Sequence, residues 1–488
     1  MNRKIWQPFL IFIFLSLALR WGTSWFSAIN NDESTYLLIA REIMDGKVYL
    51  KDVIDTKPIG IFWLYAALIK LTGGSLFAIR MATHLVIACT AFACFLAGRR
   101  ASGQYAIGLV AGVTYIFANS IYSRYGIGPN SETFLNLLTV SVVAIGVAPR
   151  VRLPKADSAF WHWPLMGFLL GTAVIIKPFA AAESLAIGLF MLWYYWVYRR
   201  EWGRGLFAGA LLVFAFCIPL AIVYAYHHSL GMTEELLYYT FEVNSRYPVP
   251  LAWYKRLQFI GDYLLRFFMF SVPAGVALLA AKRGVNRTWV FFLLGYFLLV
   301  SIMILLPGRR FAYYQIQLHP ALCLLAAAFF DPAVEYFSKI RNQLASRNAL
   351  VAVVCLAVLL GFAHYYSFST KPDRPRMIAA YFEDKLAEEE LFFTVTSHQG
   401  AYYLMDKPLP ARFVHTPLMF HRDHVAAFEI DEVQEGERIL ANPNLKYLVR
   451  HPRNEAFFTP LSERLFSEFT LVDSIDAEMY VWERGVGE

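Results

Sequence analysis

Charged residues are scarce in this chain of 488 residues. Asp, Glu, Lys and Arg together account for 17% of the sequence, hydrophobic residues account for 58%, and the mean hydropathy is +0.44. An ordinary soluble domain has about a quarter charged residues and a smaller apolar share. The composition therefore excludes an ordinary soluble protein and indicates a polytopic α-helical membrane protein.

Cysteines are few, and nucleotide-binding motifs are missing from the sequence. All five cysteines fall in apolar stretches and none follows residue 370, so neither a disulfide framework nor a zinc motif is predicted. The sequence has no G-x-G-x-x-G motif and no P-loop. The net charge of +7 does not predict a nucleic-acid partner, because Lys and Arg lie in short clusters between hydrophobic runs.

Long hydrophobic runs dominate the first three quarters of the chain. Since about 20 apolar residues cross a bilayer, we predict about eleven transmembrane helices. They lie near residues 5–26, 76–98, 104–121, 133–149, 161–178, 181–198, 206–226, 259–281, 288–306, 313–330 and 349–368. Basic clusters occur in alternate loops, which predicts a cytoplasmic N-terminus and, after an odd number of spans, an extracytoplasmic C-terminus. The first run is interpreted as an uncleaved span.

The polar tail predicts a second domain. We expect residues 1–370 to form a transmembrane catalytic domain and residues 371–488 to form a small soluble α/β domain on the extracytoplasmic, periplasmic side of the inner membrane. The predicted strands are Leu391–Thr396, Leu445–Val449 and Glu478–Glu483, and the predicted helices are Arg376–Glu389, Asp431–Ala441 and Pro460–Glu468.

The outer loop 27–75 has internal structure of its own. Ser34–Asp45 has helical periodicity and predicts an amphipathic helix on the membrane surface, with Gly46 where the helix would stop. Ile59–Leu71 is too short to cross a bilayer and predicts a second interfacial or re-entrant helix. Ionisable residues at a membrane boundary are costly, so the pair Asp32-Glu33 makes this loop the first candidate for an active site.

The candidate residues of this loop each have a functional and a structural interpretation. An ionised Asp32 at a helix start can act as a general base, whereas the alternative is that Asp32 caps the helix and Glu33 lies in its first turn. Lys57, followed by Pro58, is suited to a lipid phosphate, and the alternative is a lysine that reaches up to the interface. Lys177 repeats the Lys-Pro dipeptide at the outer end of a later span.

Further candidates lie in other outer loops. Glu132 is either a first-turn acid or a second functional carboxylate, and a divalent cation is one of the partners considered for it. Arg309 and Arg310, followed by Tyr314, suit a phosphate group or an interfacial anchor belt. Glu242 and Arg246, among tyrosines, suit a sugar site or a capped amphipathic loop.

The order of these positions resembles a known family. The local matches are Asn31-Asp32-Glu33-Ser34-Thr35-Tyr36-Leu37-Leu38-Ile39-Ala40-Arg41-Glu42 and Thr56-Lys57-Pro58-Ile59-Gly60. They are similar to the GT-C membrane glycosyltransferases that use polyprenyl-phosphate sugars, in the branch of lipid A aminoarabinose transferase and the protein O-mannosyltransferases. The resemblance covers most of residues 1–330. Pro58-Ile59 departs from the Pro-Pro of many relatives.

The resemblance implies an inverting hexosyl- or pentosyltransferase of the cell envelope. A sugar would pass from a polyprenyl-phosphate donor to a hydroxyl or phosphate of a lipid, glycan or protein acceptor, such as lipopolysaccharide, at the outer membrane face. It implies that Asp32 is the catalytic base, with Glu33 beside it, and that Lys57 contacts the donor phosphate. Two rival classes remain. One is a flippase or transporter for a lipid-linked sugar, which predicts charges at mid-span, and the other is a structural or regulatory membrane protein whose tail binds a partner.

The resemblance also gives roles to residues outside the Asp-Glu and Lys-Pro motifs. It implies that Arg309 or Arg310 neutralises the leaving phosphate and that Glu132 is a second functional acid. Lys177 stands where relatives also have a lysine. The remaining candidates for substrate contacts are Tyr36, Glu242, Arg246 and Tyr314.

Overall fold

The computed structural model describes residues 6–27, 29–152, 160–246, 251–281, 286–335, 338–344, 346–395, 397–450 and 459–485. The chain divides into two compact units. The first unit comprises Met1–Trp25, Phe77–Ala225 and Pro248–Phe368, and the second comprises Phe26–Leu76, Tyr226–Tyr247 and Ser369–Glu488. The second unit therefore joins the outer loop 27–75 with the tail, while the predicted domain boundary at residue 370 stays a prediction.

The first unit is built of apolar helices. Its α-helices are Trp6–Arg20, Leu76–Ser102, Tyr105–Ala118, Ser131–Val142, Ala148–Arg152, His162–Ile176, Ala181–Leu192, Trp202–Ser229, Trp253–Arg266, Phe268–Ala280, Arg287–Leu305, His319–Ala328, Ser338–Leu344 and Arg347–Ser369. Short 3-10 turns cover Trp21–Thr23, Ser123–Tyr125, Pro178–Ala180 and Ala312–Leu318, and π-helical turns cover Val143–Val147 and Trp193–Tyr198. Helices Leu76–Ser102, Trp202–Ser229 and Arg347–Ser369 each run a residue or a few past the unit's boundaries.

Six helices within the described ranges are long and apolar enough to cross a membrane. They are Leu76–Ser102, Ser131–Val151, Pro178–Tyr198, Trp202–Ser229, Arg287–Leu305 and Asn348–Ser369. The pair Trp253–Arg266 and Phe268–Ala280, bent by 98°, makes a seventh if it is one span. The multi-pass helical character is thus confirmed, whereas the count of eleven stays a prediction. Several predicted spans fall short because Tyr105–Ala118 and His162–Ile176 have fewer than 18 residues.

Small residues let the helices of the first unit approach closely. A Cβ atom on Gly112 would lie 2.3 Å from the Phe12 ring, and one on Gly167 would lie 2.0 Å from the Leu212 carbonyl oxygen. Close backbone approach of this kind is a common way for membrane helices to associate, since lipid gives them no hydrophobic driving force.

A buried arginine ties the first helix to its neighbours. Arg20 is fully buried, and its guanidinium donates to His84 Nδ1 (3.1 Å), to the Asn119 carbonyl (2.7 Å) and to the Ile127 carbonyl (2.7 Å). A buried charge is tolerated when its donors are satisfied in this way. The network thus fixes the loop around residues 119–127, which leads into the helix that carries Glu132.

The second unit contains a mixed four-stranded sheet. Its strands are β1 (Leu391–Thr394), β2 (Leu445–Arg450), β3 (Phe469–Asp476) and β4 (Met479–Arg484), in the spatial order β1-β2-β4-β3. β1 and β2 are parallel, and the other two pairs are antiparallel. Its α-helices are Asn31–Met44, Ile59–Thr72, Thr233–Leu237, Val243–Arg246, Arg374–Phe382, Gly400–Met405, Pro417–Phe420, Arg422–Ala427, Glu432–Leu440 and Pro460–Phe466, and a π-helical turn covers Tyr238–Glu242.

The sequence predicted three of these strands and missed β3. β3 is exposed along most of its length, so it has no buried alternate positions to signal a strand. The predicted helix Arg376–Glu389 ends earlier, at Phe382. Thr396, the predicted end of β1, lies outside the described residues.

The helix Asn31–Met44 is held inside the second unit. Residues 33–40 are all buried, so the helix does not present the free polar face expected of a helix that lies on the membrane surface. Arg41 fixes it to the tail by donating to Asp406 (2.9 Å) and to the carbonyls of Tyr402 (3.2 Å) and Lys407 (2.8 Å). The predicted stop is observed, with Gly46 at a φ of +95° that suits glycine.

Candidate active site

The helix Asn31–Met44 is capped by a residue that the sequence analysis did not single out. Asn30 has extended backbone, and its side-chain oxygen accepts from the Glu33 amide at 2.7 Å. This is the usual N-cap arrangement. The interpretation of Asp32 as the cap is therefore wrong, and its carboxylate lies in the first turn, where the helix dipole favours a negative charge.

Lys57 lies between two carboxylates of the second unit. Its Nζ is 3.3 Å from Asp32 Oδ1 and 3.3 Å from Asp55 Oδ1. Burial alone would lower the pKa of Lys57, but Asp32 and Asp55 outweigh it and raise that pKa above the ordinary lysine value. Lys57 therefore stays protonated, and its ammonium pairs with both Asp32 and Asp55. These three side chains form the carboxylate cluster.

Asp55 organises the backbone around Lys57. Its Oδ1 accepts from the amides of Thr56 (2.5 Å) and Lys57 (3.2 Å), while Tyr49 donates to the Asp55 carbonyl at 2.9 Å. Its Oδ2 is buried without a hydrogen-bond partner within the described part of the chain. Burial and the neighbouring Asp55 also raise the pKa of Tyr49 well above its ordinary value, which keeps its hydroxyl protonated.

Two tail residues extend this cluster. Gln399 lies between Thr35 and His415, with its Nε2 at 3.4 Å from the Thr35 hydroxyl and 3.3 Å from His415 Nδ1. Burial and the nearby Lys57 lower the pKa of His415, while Asp55 and Asp32 oppose the shift. The sequence analysis missed both residues, because neither belongs to a local motif and both lie far along the chain.

Glu33 and Tyr36 face the interior of the second unit. Glu33 is 1% exposed, and so is Tyr36. The Tyr36 ring packs edge-on against Tyr65 (5.2 Å between centroids), and Lys57 Nζ lies 5.4 Å from the Tyr36 ring centroid. Tyr36 is thus placed to support Lys57 by packing and a cation–π contact.

In the first unit, Lys177 and Glu132 form an ion pair. Lys177 Nζ contacts Glu132 Oε1, and the Ser131 hydroxyl donates to the other carboxylate oxygen at 3.1 Å. Aromatic rings surround the ammonium, with centroids at 4.3 Å (Tyr314), 5.1 Å (Phe179) and 5.5 Å (Tyr313). Lys177, Glu132 and Tyr314, which the sequence proposed separately, therefore form one cluster.

A metal-binding cluster around Glu132 is not seen among the described residues. Across the ranges that the structure describes, no three His, Cys, Asp or Glu side chains are placed to hold a metal ion. The partner seen at the Glu132 carboxylate is the Lys177 ammonium, which occupies the position a cation would take.

Arg309 and Arg310 have different surroundings in the first unit. Arg310 is exposed and pairs with Asp262 at 2.9 Å. Arg309 lies over the Phe311 ring at 5.7 Å, and Phe311 packs edge-on against Tyr314 at 5.5 Å between centroids. Arg309 is therefore joined through aromatic rings to the cluster around Lys177, whereas Arg310 already has a carboxylate partner.

Glu242 and Arg246 form a separate exposed group in the second unit. Arg246 pairs with both Glu242 and Glu429 of the tail, and the Tyr238 hydroxyl lies 3.5 Å from Glu429. The Arg246 guanidinium also lies over the Tyr238 ring, 5.7 Å from its centroid, so the contacts of this group are with neighbouring side chains of its own segment and with Glu429.

Comparison with known proteins finds similar sequences among curated proteins. No family model matches the chain. An undecaprenyl phosphate-α-4-amino-4-deoxy-L-arabinose arabinosyl transferase of Pseudomonas aeruginosa (strain LESB58) is 25% identical over 201 residues, 39% of this chain and 35% of the relative. A protein of the same description from Pseudomonas fluorescens (strain Pf0-1) is 25% identical over 173 residues, 35% of this chain and 30% of the relative. The matched part spans about a third of these curated relatives.

Solved structures are similar over nearly the whole chain. ArnT from Cupriavidus metallidurans, bound to undecaprenyl phosphate, has a TM-score of 0.65 at 15% identity and covers 99% of this chain and 97% of its own. An oligosaccharyltransferase of Archaeoglobus fulgidus, tethered with an acceptor peptide, has a TM-score of 0.53 at 13% identity, covering 92% and 69%. The mycobacterial arabinofuranosyltransferase AftD has a TM-score of 0.52 at 13% identity, covering 100% and 40%.

The fold and the apolar helices define a multi-pass membrane protein with the GT-C fold. The resemblance found in the sequence is confirmed. The similar proteins named above support a likeness to the GT-C glycosyltransferases that use polyprenyl-phosphate sugars.

Proposed function

We propose that the chain is an inverting glycosyltransferase that moves a sugar from a polyprenyl-phosphate donor to an acceptor at the outer face of the inner membrane. The observation that carries the proposal is the Lys57 ammonium held between Asp32 and Asp55 at the start of a buried helix. The relatives named after undecaprenyl phosphate and arabinosyl transfer make undecaprenyl phosphate the first donor lipid to test and an amino-arabinose the first sugar.

The proton chemistry of this proposal lies with Asp32. An acceptor hydroxyl attacks the anomeric carbon, and its proton passes to the Asp32 carboxylate as the new bond forms. The bond from the anomeric carbon to the phosphate oxygen breaks, and the polyprenyl phosphate leaves with the electron pair. One displacement of this kind inverts the anomeric configuration.

Lys57 gives the cluster a second task. When a phosphate approaches, the Lys57 ammonium can contact it while staying protonated, since the pKa of Lys57 is raised by its carboxylates. Moving the ammonium from Asp32 towards the phosphate would leave Asp32 more basic at the moment when a base is needed. Electrostatic stabilisation of the charge that develops on a leaving group is a large source of catalysis.

The cluster of the first unit suits an anion. Lys177 and Arg309 are cations among aromatic rings, and Lys177 pairs with the Glu132 carboxylate. We propose contacts of these residues with the donor phosphate, with Tyr314 as a packing partner. Arg310 is a weaker candidate because Asp262 already pairs with it. A divalent cation is not part of the proposal, because Lys177 occupies the Glu132 carboxylate.

The proposal also includes the number of spans and the orientation of the chain in the membrane. Eleven spans follow from the apolar runs, and the basic clusters in alternate loops then place the N-terminus in the cytoplasm and the tail in the periplasm. In that arrangement the carboxylate cluster of the second unit faces the periplasm, where a lipid, a lipopolysaccharide, another glycan or a secreted protein is available as acceptor. The cell-envelope glycans are the acceptors to test first.

The test is sugar transfer by purified protein in detergent. A panel of radiolabelled polyprenyl-phosphate sugars is offered with membrane extract as acceptor, using wild type, Asp32→Asn and the control Asp52→Asn. Asp52 is an exposed acid of the same loop, bonded to the Val48 amide at 2.8 Å. We expect label transfer by wild type and Asp52→Asn but not by Asp32→Asn.

The opposite result has a clear meaning. If folded wild type transfers label from no donor, the transferase proposal fails. The rival class, a flippase for a lipid-linked sugar, would then be tested by lipid translocation in vesicles.

A further inference from the structure

The tail contributes backbone contacts next to the carboxylate cluster. Ile54, next to Asp55, pairs in parallel with Phe413 of the tail. The Ile54 amide donates to the Arg412 carbonyl at 2.7 Å, and the Val414 amide donates to the Ile54 carbonyl at 3.3 Å. This short ladder sets Asp55 alongside Val414, so the next tail residue, His415, follows the loop that leads to Lys57.

A second connection joins the tail to the helix that carries Asp32. The Thr35 hydroxyl donates to the Asn31 carbonyl at 3.0 Å, which leaves its oxygen free to accept from Gln399 at 3.4 Å. The second hydrogen of the Gln399 amide points to His415 Nδ1 at 3.3 Å. The two connections therefore reach His415 from both sides, one from the Asp55 loop and one from the first turns of Asn31–Met44.

Three residues on or next to these connections carry an unsatisfied polar atom. Gln399 Oε1, Thr416 Oγ1 and Asp55 Oδ2 are all buried and lack a hydrogen-bond partner within the described part of the chain. Buried polar groups are nearly always satisfied, and an unsatisfied group often marks a place for a ligand or a water molecule. The residues around His415 thus have spare acceptors that a sugar hydroxyl or amino group can use.

We propose that His415, together with Gln399, is a positioning residue of the transfer reaction that holds Asp32 and Lys57 in register. This inference rests on the proposed function. The charged groups that face His415 are Lys57, Asp55 and Asp32. Burial lowers the pKa of the His415 imidazole and Lys57 adds to this shift, whereas Asp55 and Asp32 oppose it. As a neutral acceptor from Gln399, His415 fixes the geometry without competing with Lys57 for the carboxylates.

Kinetics test the positioning role. His415→Ala removes the acceptor, and we expect kcat to fall by about tenfold to a hundredfold with little change in donor KM, since small misplacements of catalytic groups have effects of this size. His415→Gln keeps an acceptor that cannot titrate, and we expect it to restore most of kcat at neutral pH. Gln399→Ala combined with His415→Ala should cost no more than the worse single variant. The control is His421→Gln, an exposed histidine of the same segment.

A second readout does not depend on activity. In protein labelled with ¹³C-histidine, the resonance lost in His415→Gln belongs to His415, and its titration midpoint can be followed. Asp32 favours the protonated imidazole and Lys57 disfavours it. We therefore expect Asp32→Asn to lower the midpoint and Lys57→Met to raise it, with Asp52→Asn leaving it unchanged.

The two readouts distinguish a failure of the positioning role from a failure of the proposed function. Unchanged kcat in His415→Ala, or a midpoint that ignores both Asp32 and Lys57, overturns the positioning role. A midpoint that moves as expected while wild type transfers no sugar leaves the cluster in place, refutes the proposed function and removes the positioning role of His415 with it.

Discussion

Replacing Lys57 by methionine tests whether its cation holds the two carboxylates and serves the reaction. Methionine keeps much of the side-chain volume but leaves Asp32 and Asp55 facing each other without the ammonium that lies 3.3 Å from each of them. Removing one partner of a fully buried ion pair costs about 3–5 kcal/mol. Since the Lys57 side chain is 25% exposed and that of Asp32 is 15% exposed, solvent screening reduces the expected loss of unfolding free energy to about 1–3 kcal/mol.

Lys57→Met should also slow sugar transfer. A hydrogen bond between charged groups is worth about 1.5–3 kcal/mol, and each 1.36 kcal/mol is a factor of ten in rate, so kcat/KM for the donor should fall by about tenfold to 150-fold. The assay is donor-dependent kinetics beside thermal unfolding in detergent, with the exposed Lys51→Met of the same loop as control.

A double variant sharpens this test. Adding Asp55→Asn to Lys57→Met removes one of the two facing carboxylates, so it should recover part of the lost stability without recovering transfer. A Lys57→Met protein with the melting temperature and the kcat/KM of wild type, within twofold, would refute the reasoning. Lys57 would then be a lysine that merely reaches up to the interface.

Three further expectations follow from the contacts. Arg309→Gln should raise the donor KM more than Arg310→Gln, because Arg309 packs on Phe311 beside the cluster around Lys177 whereas the pair of Arg310 with Asp262 is exposed, and equal effects would contradict this distinction. A cysteine at Val433, which is 62% exposed, should react with an impermeant thiol reagent in intact spheroplasts, and protection would reverse the proposed topology. The pKa of His415 is lowered, so its contribution to stability is present above its unfolded value of about 6.5 and is lost as the pH falls below it. Unfolding measured from pH 7.5 to 5 should therefore show a shallower loss in His415→Gln than in wild type, and identical slopes would contradict the burial of a neutral imidazole.

Val433 is a suitable labelling site because its side chain is exposed. A cysteine at Glu435 would be a poorer probe although the surrounding segment is polar, because Glu435 is 1% exposed and contacts Arg412 and Arg438. Polarity does not distinguish a solvated acid from a buried ion pair. Exposure therefore has to come from the packed structure.

The loop helices were predictable because their signals are local. Tyr36, Ile39 and Ala40 recur at helical spacing, and the structure has a helix at Asn31–Met44. The second predicted helix is observed at Ile59–Thr72 and ends at Gly73, whose φ is +65°. The burial of Asn31–Met44 was not predictable from the same pattern, since it depends on tail residues such as Tyr402 that come hundreds of positions later.

The candidate site was predictable in part for the same reason. Asp32 and Lys57 stand in recognisable motifs, and the structure brings them together. Asp55 had a local signal that was not used: an Asp that accepts from the next two amides is a common turn. His415 and Gln399 had none, because the pairing of Ile54 with Phe413 joins segments with no sequence relation.

The span count shows a limit of composition. The runs near 5–26 and 313–330 are long enough to cross a bilayer in sequence, yet the structure divides them at Arg20 and at His319 into a 3-10 turn and a shorter helix. Apolar length alone does not reveal such breaks. Both breaks lie at polar side chains with buried hydrogen bonds, as in the contact of His319 with the Tyr263 hydroxyl at 2.9 Å.

The most direct test of the central claim is transfer of one sugar from undecaprenyl phosphate by purified wild type and Asp32→Asn, with the anomeric configuration of the product determined by NMR. The account predicts transfer with inversion by wild type and none by a folded Asp32→Asn protein. Transfer with retention, or turnover by Asp32→Asn at the wild-type rate, would contradict it.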